Sequence, residues 1–286
     1  MTLPSRADFA AVHEMHRSLP WRRLAEPQAD QYDSETVLML AAETTTPGRP
    51  TPFVRRTPLA RLTIGPVFSP AEQPPGRGQL YTDAHPGHPC IEEAIYLLRS
   101  WPEGAAQVRH LVERIHPALD LGCPAVLPLN RIRSSSHSLE NRFGALWATV
   151  NSAAGLAQSI VHEMAHQKLW AFGVSFEHAD TLLANDPFAL YESPLVGWSR
   201  PLSAVLHAHY ALLHITALDS ALLAKARSQA MRAALARSAS GHLRLVSKSA
   251  SVLRRYAIVD ASGVPFFQAL WEWMNRVRQE LKHHVA

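Results

Sequence analysis

The sequence predicts a predominantly α-helical protein of the α+β class, with a few short strands in its N-terminal half. Three observations lead to this prediction. The 286 residues are 47% hydrophobic and 18% charged, a composition that excludes a disordered, collagen-like or coiled-coil chain. Proline and glycine are dense between residues 47 and 89, which excludes long helices there. Much of the second half is almost free of both and rich in alanine and leucine, which favours long helices.

The N-terminal half contains only short predicted elements. Residues 1–46 are helix-prone, because apolar residues recur there every three or four positions. Strand-forming residues predict a short strand at Arg61–Phe68. Two helices are expected at Ile91–Ser100 and Ala105–Ile115, separated by a Trp-Pro pair that disfavours helix. Residues 117–128 are apolar but interrupted, which indicates a loop or a short strand.

The second half is expected to consist of long helices. Their predicted bounds are Gly144–Phe172, Leu202–Leu223, Ala224–Ala239 and Pro265–Val285. We find no internal repeat and no low-complexity linker. The chain is therefore expected to form one globule, in which residues 1–140 are an irregular, proline-rich part and residues 141–286 a helical, metal-binding part.

The distribution of apolar and charged residues limits the location and the partners of the protein. The N-terminus lacks the apolar core of a secretion signal, and no run of 18 apolar residues is present, so we expect a cytoplasmic protein without a membrane span. Residues 225–255 hold eight basic and no acidic residues, which indicates either a solvated helix face or a dock for an acidic partner. Nucleic acid is a weak candidate, since the chain has four lysines and no aromatic residue between 225 and 255.

The strongest chemical signal is an HExxH motif, His162-Glu163-Met164-Ala165-His166. On a helix, residues four apart lie on one face with Cβ atoms about 5–6 Å apart. His162 and His166 can therefore bind the same metal ion. Apolar residues on both sides of the motif predict that its helix is buried.

A catalytic metal needs a third protein ligand, and two sources for it are weak. The extended metzincin pattern requires Gly and His where this chain has Leu169 and Phe172, so that subclass is excluded. A downstream glutamate could serve instead, but Glu177 and Glu192 lie in no convincing helix.

A histidine is the better candidate for the third ligand. His207 and His214 share one face of the helix that Pro201 opens. Arg200 precedes that helix, where free backbone N–H groups already favour an anion. Seven residues of helix separate Arg200 from His207, about 10.5 Å. This spacing suits a small dicarboxylate held between a metal and a guanidinium, and so favours His207.

Two segments resemble a known family. Ile160–Leu169 (IVHEMAHQKL) and Tyr191–Tyr210 (YESPLVGWSRPLSAVLHAHY) are similar to the αKG-HExxH-type peptide β-hydroxylases of bacterial peptide-modification loci. The resemblance extends over about residues 140–286, and its signature is the order HExxH, SP, RPL, LH. It implies an Fe(II)- and 2-oxoglutarate-dependent oxygenase that uses O₂ to hydroxylate a β-carbon of a ribosomally made peptide.

The resemblance also implies roles for individual residues. His162, His166 and His207 would be the metal ligands, and Arg200 would bind the carboxylate of 2-oxoglutarate. From the motif itself, Glu163 is expected to be a catalytic residue that orients a water or a histidine at the metal. The peptide would be presented on a leader or carrier, for which the basic stretch 225–255 is a possible dock.

Two other functions remain open from the sequence. The first is an HExxH zinc metallopeptidase, in which Glu163 would be the general base. The second is a non-catalytic basic protein that binds a peptide or nucleic acid. The sequence predicts no oligomeric state.

Overall fold

The structure is a computed structural model that describes residues 55–56, 62–68, 81–261 and 263–285. The predicted helical segment 1–46 lies outside the described residues. Helices dominate the part that is described, accompanied by a few short strands, which confirms the predicted fold class. The described helices are α1 (Pro89–Leu98), α2 (Pro102–Leu111), α3 (Ala153–Ala171), α4 (Leu202–Lys225), α5 (Gln229–Tyr256) and α6 (Gly263–Val285).

The strands form a small mixed sheet and one hairpin. The sheet has the order β1-β2-β4-β6-β5, and β3 also pairs with β4. β4 runs parallel to β2 and β6 and antiparallel to β3. The sheet strands are β1 (Arg55–Arg56), β2 (Thr63–Ile64), β3 (Tyr81–Asp83), β4 (Arg114–Asp120), β5 (Ser136–His137) and β6 (Ala145–Thr149). The hairpin pairs β7 (Tyr191–Glu192) with β8 (Ser199–Arg200).

Two predicted helices were too long because a strand adjoins each of them. The prediction of one helix over Gly144–Phe172 is wrong for its first part, where β6 pairs with β4 and is buried along its whole length. The prediction of a helix to Ile115 is wrong at its end, since α2 stops at Leu111 and Ile115 lies in β4. Short apolar runs fit a buried strand as well as a buried helix, and the sheet partner decides between them.

Helix α3 begins at a defined cap directly after β6. The hydroxyl of Ser152 accepts a hydrogen bond from the backbone N–H of Gly155. The side chain of Asn151 accepts from the backbone N–H of Asp120 and donates to its carbonyl, which fixes the ends of β4 and β6 together. These contacts hold the start of α3 against the sheet.

Helix α3 is the centre of the fold. It contacts β5 and β6 of the sheet and the helices α1, α2 and α4, and all its residues except His162 are buried. A helix buried on all sides must satisfy its polar side chains internally. Gln167 accepts from the backbone N–H of Gly144, and the ammonium of Lys168 donates to the amide oxygen of Gln107. The HExxH motif therefore lies on a helix of which every residue except His162 is buried.

Within residues 55–56, 62–68, 81–261 and 263–285, no helix is both long and apolar enough to cross a bilayer.

The packing of α3 predicts the effect of a methyl group at Gly155. A Cβ there would lie 2.4 Å from the backbone oxygen of Arg133. We expect Gly155→Ala to lower the free energy of unfolding by about 1–3 kcal/mol, since overpacking against backbone forces the chain to move. The change is measured by thermal denaturation followed by circular dichroism.

Gly241 is the matched control for this substitution. It also lies within a helix, but a Cβ there would meet nothing within 4 Å. Gly241→Ala should stabilise the protein by about 0.5–1 kcal/mol, because alanine loses less backbone entropy in a helix. Equal effects of the two substitutions would contradict the close approach of α3 to Arg133.

Candidate metal centre

Three histidines from two helices lie in contact at the centre of the protein. His162 and His166 come from α3, with their Nε2 atoms 3.0 Å apart. His207 comes from α4, with its Nδ1 atom 3.1 Å from Nδ1 of His166. His166 and His207 are buried, whereas His162 is partly exposed. The structure thus brings together the three histidines that the sequence analysis selected.

The second nitrogen of His207 fixes its tautomer. Nε2 lies 2.8 Å from the backbone carbonyl of Val174, which can only accept, so Nε2 carries the proton. In the neutral ring, the lone pair is therefore on Nδ1, which faces His166. A backbone carbonyl that holds the remote N–H of an imidazole is the usual support of a metal-binding histidine.

Burial keeps the imidazoles in the form that binds metals. The pKa of His207 is lowered to about 3, chiefly by desolvation and also by the positive charge of Arg200, while the hydrogen bond to Val174 acts in the opposite direction. Desolvation also lowers the pKa of His166 well below its ordinary value, with contributions from His162, His207 and Arg200. Both rings are neutral at physiological pH, as metal coordination requires.

In the described arrangement, the three rings form a hydrogen-bonded chain rather than a closed metal site. No group of three or more His, Cys, Asp or Glu side chains in the described part is placed to hold an ion. The reason lies in His166, whose Nε2 faces His162 while its Nδ1 faces His207. Its Cε1 atom lies between these two nitrogens.

A rotation of the His166 ring would turn the hydrogen-bonded chain of histidines into a set of donors for one metal ion. A half turn of His166 about its Cβ–Cγ bond exchanges Cε1 with Nε2, and histidine χ2 has two such preferred settings. Nε2 would then lie on the edge that faces both neighbours. Three neutral imidazoles, one of them fixed by the carbonyl of Val174, suit iron or zinc in number and in type. The donor set therefore fits an ion of this class.

The other candidates for the third ligand are His214, Glu177 and Glu192, and their surroundings differ from those of His207. His214 has its Nδ1 on the carbonyl of Tyr210 and its Nε2 beside the ammonium of Lys168. Glu177 and Glu192 are exposed. Because both nitrogens of His214 have other partners and both glutamates are exposed, the structure gives no geometric support for any of the three as the third ligand.

Glu163 has a different environment from the two histidines of its motif. It is buried, and each of its carboxylate oxygens accepts a hydroxyl hydrogen bond, Oε1 from Ser136 at 2.7 Å and Oε2 from Ser138. These serines flank His137 at the end of β5. Glu163 thereby ties α3 to the sheet, and its contacts favour a positioning role over that of a general base.

Arg200 lies near the histidines on the other side of an aromatic ring. Its guanidinium is 5.8 Å from the centre of the Phe176 ring. The same ring lies 4.4 Å from the His207 ring and 5.1 Å from the His166 ring, measured between centroids. Phe176 is only partly buried and so covers the histidines on this side. Sequence reasoning missed Phe176, since nothing in its spacing relates it to the motif.

A cavity of about 460 Å³ adjoins the histidine chain at His162. Its walls come from the connection before β5, from α3, from α4 and from α5, and include Arg133, Gln158 and His242. Gln158 precedes His162 by one helical turn, so its position on this face was predictable from the sequence. Arg133 and His242 carried no such signal.

Comparisons with known proteins add no family to these observations. No protein-family model matches the chain, and no curated protein matches its sequence.

Proposed function

We propose that this protein is an Fe(II)- and 2-oxoglutarate-dependent oxygenase that hydroxylates a β-carbon of a ribosomally made peptide. When bound, ferrous iron supplies the coupled oxidation in which O₂ converts 2-oxoglutarate to succinate and CO₂ and hydroxylates a C–H bond. The observation that carries the proposal is the contact of His162, His166 and His207. The family resemblance of the two segments described above supports it.

The residues of the chain would have separate roles around the ion. His162, His166 and His207 would hold it, with the Val174 carbonyl fixing the His207 ring. Three protein ligands leave positions for 2-oxoglutarate and O₂, as in other non-haem iron oxygenases. Glu163 would keep α3 in place through its two serines, so that His162 keeps its orientation.

Arg200 would bind a carboxylate of 2-oxoglutarate. It is the arginine whose charge acts on both His166 and His207, which supports a position within reach of the same ligand. Phe176 would hold the guanidinium by cation–π contact and exclude water from the histidines.

A peptide substrate agrees with the surface near Arg200. The segment that leads to β8 exposes several large apolar side chains, a feature of surfaces that bind other molecules. These are Phe188, Leu190, Leu195 and Trp198. We further propose a cytoplasmic location, where ribosomally made peptides are produced.

The basic helix α5 would dock a leader or carrier. Arg237 and Arg244 line a surface groove of about 350 Å³ on this helix, together with Gly241. A groove between two guanidinium groups suits an acidic segment.

The proposal is tested with protein purified without oxygen. It should retain Fe(II) and, with a precursor peptide encoded by a neighbouring gene, convert 2-oxoglutarate to succinate in step with a gain of one oxygen atom by the peptide. Metal analysis, succinate assay and mass spectrometry measure the three quantities. Zinc as the retained metal, together with peptide cleavage and no succinate, would overturn the proposal in favour of a metallopeptidase.

A further inference from the structure

The cavity beside His162 has an uneven distribution of charge. Of the described residues that line it, none is an aspartate or a glutamate. The lining includes the guanidinium of Arg133, the imidazoles of His162 and His242, and a group of hydroxyls. The hydroxyls belong to Ser134, Ser136, Ser159 and Ser238. Apolar side chains complete the wall.

Three carboxylates lie directly behind this wall, and each is bonded to a lining residue. Asp120 pairs with Arg133 at 3.2 Å, and Asp219 accepts from Nδ1 of His242 at 3.1 Å. The third, Glu163, accepts from a lining serine. All three carboxylates are buried, with at most 5% of their surface exposed. The acidic groups thus orient the lining side chains while they remain hidden from the cavity.

The hydrogen-bond pattern leaves two hydroxyl donors in the lining. Ser134 accepts from Ser159, and Ser238 accepts from Gln158, so each of these acceptors keeps its own O–H to donate. The Nδ1–H of His242 is bonded to Asp219, so Nε2 of the neutral ring holds a lone pair and adds no donor to the cavity.

Arg133 retains binding capacity in spite of its ion pair. Its contact with Asp120 uses one terminal nitrogen, and a guanidinium has five N–H groups. Asp120 is also bonded by the backbone N–H of Gly122. The Arg133 side chain is 54% exposed, so the pair is a weak one that a second oxyanion can share.

We infer that this cavity is a carboxylate-binding site, in which Arg133 and the hydroxyls of Ser134 and Ser238 bind the carboxylate next to His162. Several donors without an opposing acid are the requirement for an oxyanion. Under the proposed function, on which the identity of the ligand rests, the carboxylate has two possible sources. It belongs either to an acidic side chain of the peptide or to 2-oxoglutarate.

The test measures binding to the metal-free protein, so it depends on neither iron nor turnover. Two carboxylate probes, N-acetyl-aspartate-N-methylamide and 2-oxoglutarate, and the neutral N-acetyl-asparagine-N-methylamide are titrated and followed by protein NMR. We expect a carboxylate probe to bind, and Arg133→Gln to weaken it at least about tenfold, the effect of one charged hydrogen bond. Ser238→Ala removes one hydroxyl donor and should weaken it as well, by a smaller factor. Arg131→Gln is the matched control, since Arg131 is exposed and does not line the cavity.

The outcomes separate the two sources and the two proposals. If only the aspartate probe binds and its binding depends on Arg133, the site belongs to the peptide. If 2-oxoglutarate binds in a way that depends on Arg133, the site belongs to the cosubstrate. Failure of both probes to bind, equal binding of the asparagine probe, or equal losses in Arg133→Gln and Arg131→Gln would overturn the inference. If the protein binds a carboxylate in this way but forms no succinate with iron, the carboxylate-binding site stands and the proposed function is wrong.

Discussion

Replacing His207 with alanine should give a folded protein that no longer retains iron. Loss of a residue that merely supports a ligand costs about ten- to a hundredfold in metal affinity, so loss of a ligand should cost at least a hundredfold. His207 has the features of a ligand, since its Nε2 proton is held by the Val174 carbonyl and its Nδ1 faces His166. Anaerobic loading followed by metal analysis gives the bound iron per chain.

His209 provides the matched control for that substitution. It lies on the same helix, is equally buried and bonds to Ser249 instead of the histidine chain. His209→Ala should cost stability through a similar cavity and still retain iron. Iron bound with normal affinity by His207→Ala would remove His207 from the site and return the choice to His214 or Glu192.

Replacing Arg200 with alanine should raise the concentration of 2-oxoglutarate needed for half-maximal turnover by at least about tenfold. A hydrogen bond to a charged group contributes about 1.5–3 kcal/mol, and each 1.4 kcal/mol is a factor of ten. The iron content should stay the same, since Arg200 contacts the Phe176 ring and is not itself a ligand. Succinate formation at varied 2-oxoglutarate gives the value.

Two further variants make this result specific. Arg200→Lys keeps the charge without the planar fork and should recover only part of the affinity. Arg276→Ala removes an exposed arginine of α6 and should leave the 2-oxoglutarate requirement unchanged. If Arg200→Ala leaves the 2-oxoglutarate requirement unchanged and Arg133→Gln raises it, the binding site of 2-oxoglutarate is the cavity beside His162 and not Arg200.

The long helices of the second half were predictable, but the strand before α3 was not. Composition and periodicity indicated α4 and α6 closely, because both lack proline and glycine over most of their length. β6 is a short apolar run whose state depends on its pairing with β4. Ser152 was the available signal for the true start of α3, since serine is a favoured N-cap residue.

The candidate site was predictable where its residues share a helix or, as for Arg200 and His207, lie at and after the start of one. Spacing within α3 was enough to pair His162 with His166, and Arg200 made His207 the preferred partner. The Asp219–His242 pair joins α4 to α5, and Arg133 reaches the cavity from a loop. Contacts of this kind depend on how helices pack, and no periodicity in the sequence records them.

The enclosure of α3 has a consequence for protein engineering. Every position of this helix except His162 is buried, so most substitutions in a library built on it would destabilise the protein. Ser238 and His242 face the same cavity from α5 and are only partly buried. Directed evolution toward new substrates should therefore begin at Ser238, because replacing His242 would remove a hydrogen-bond partner of the buried Asp219.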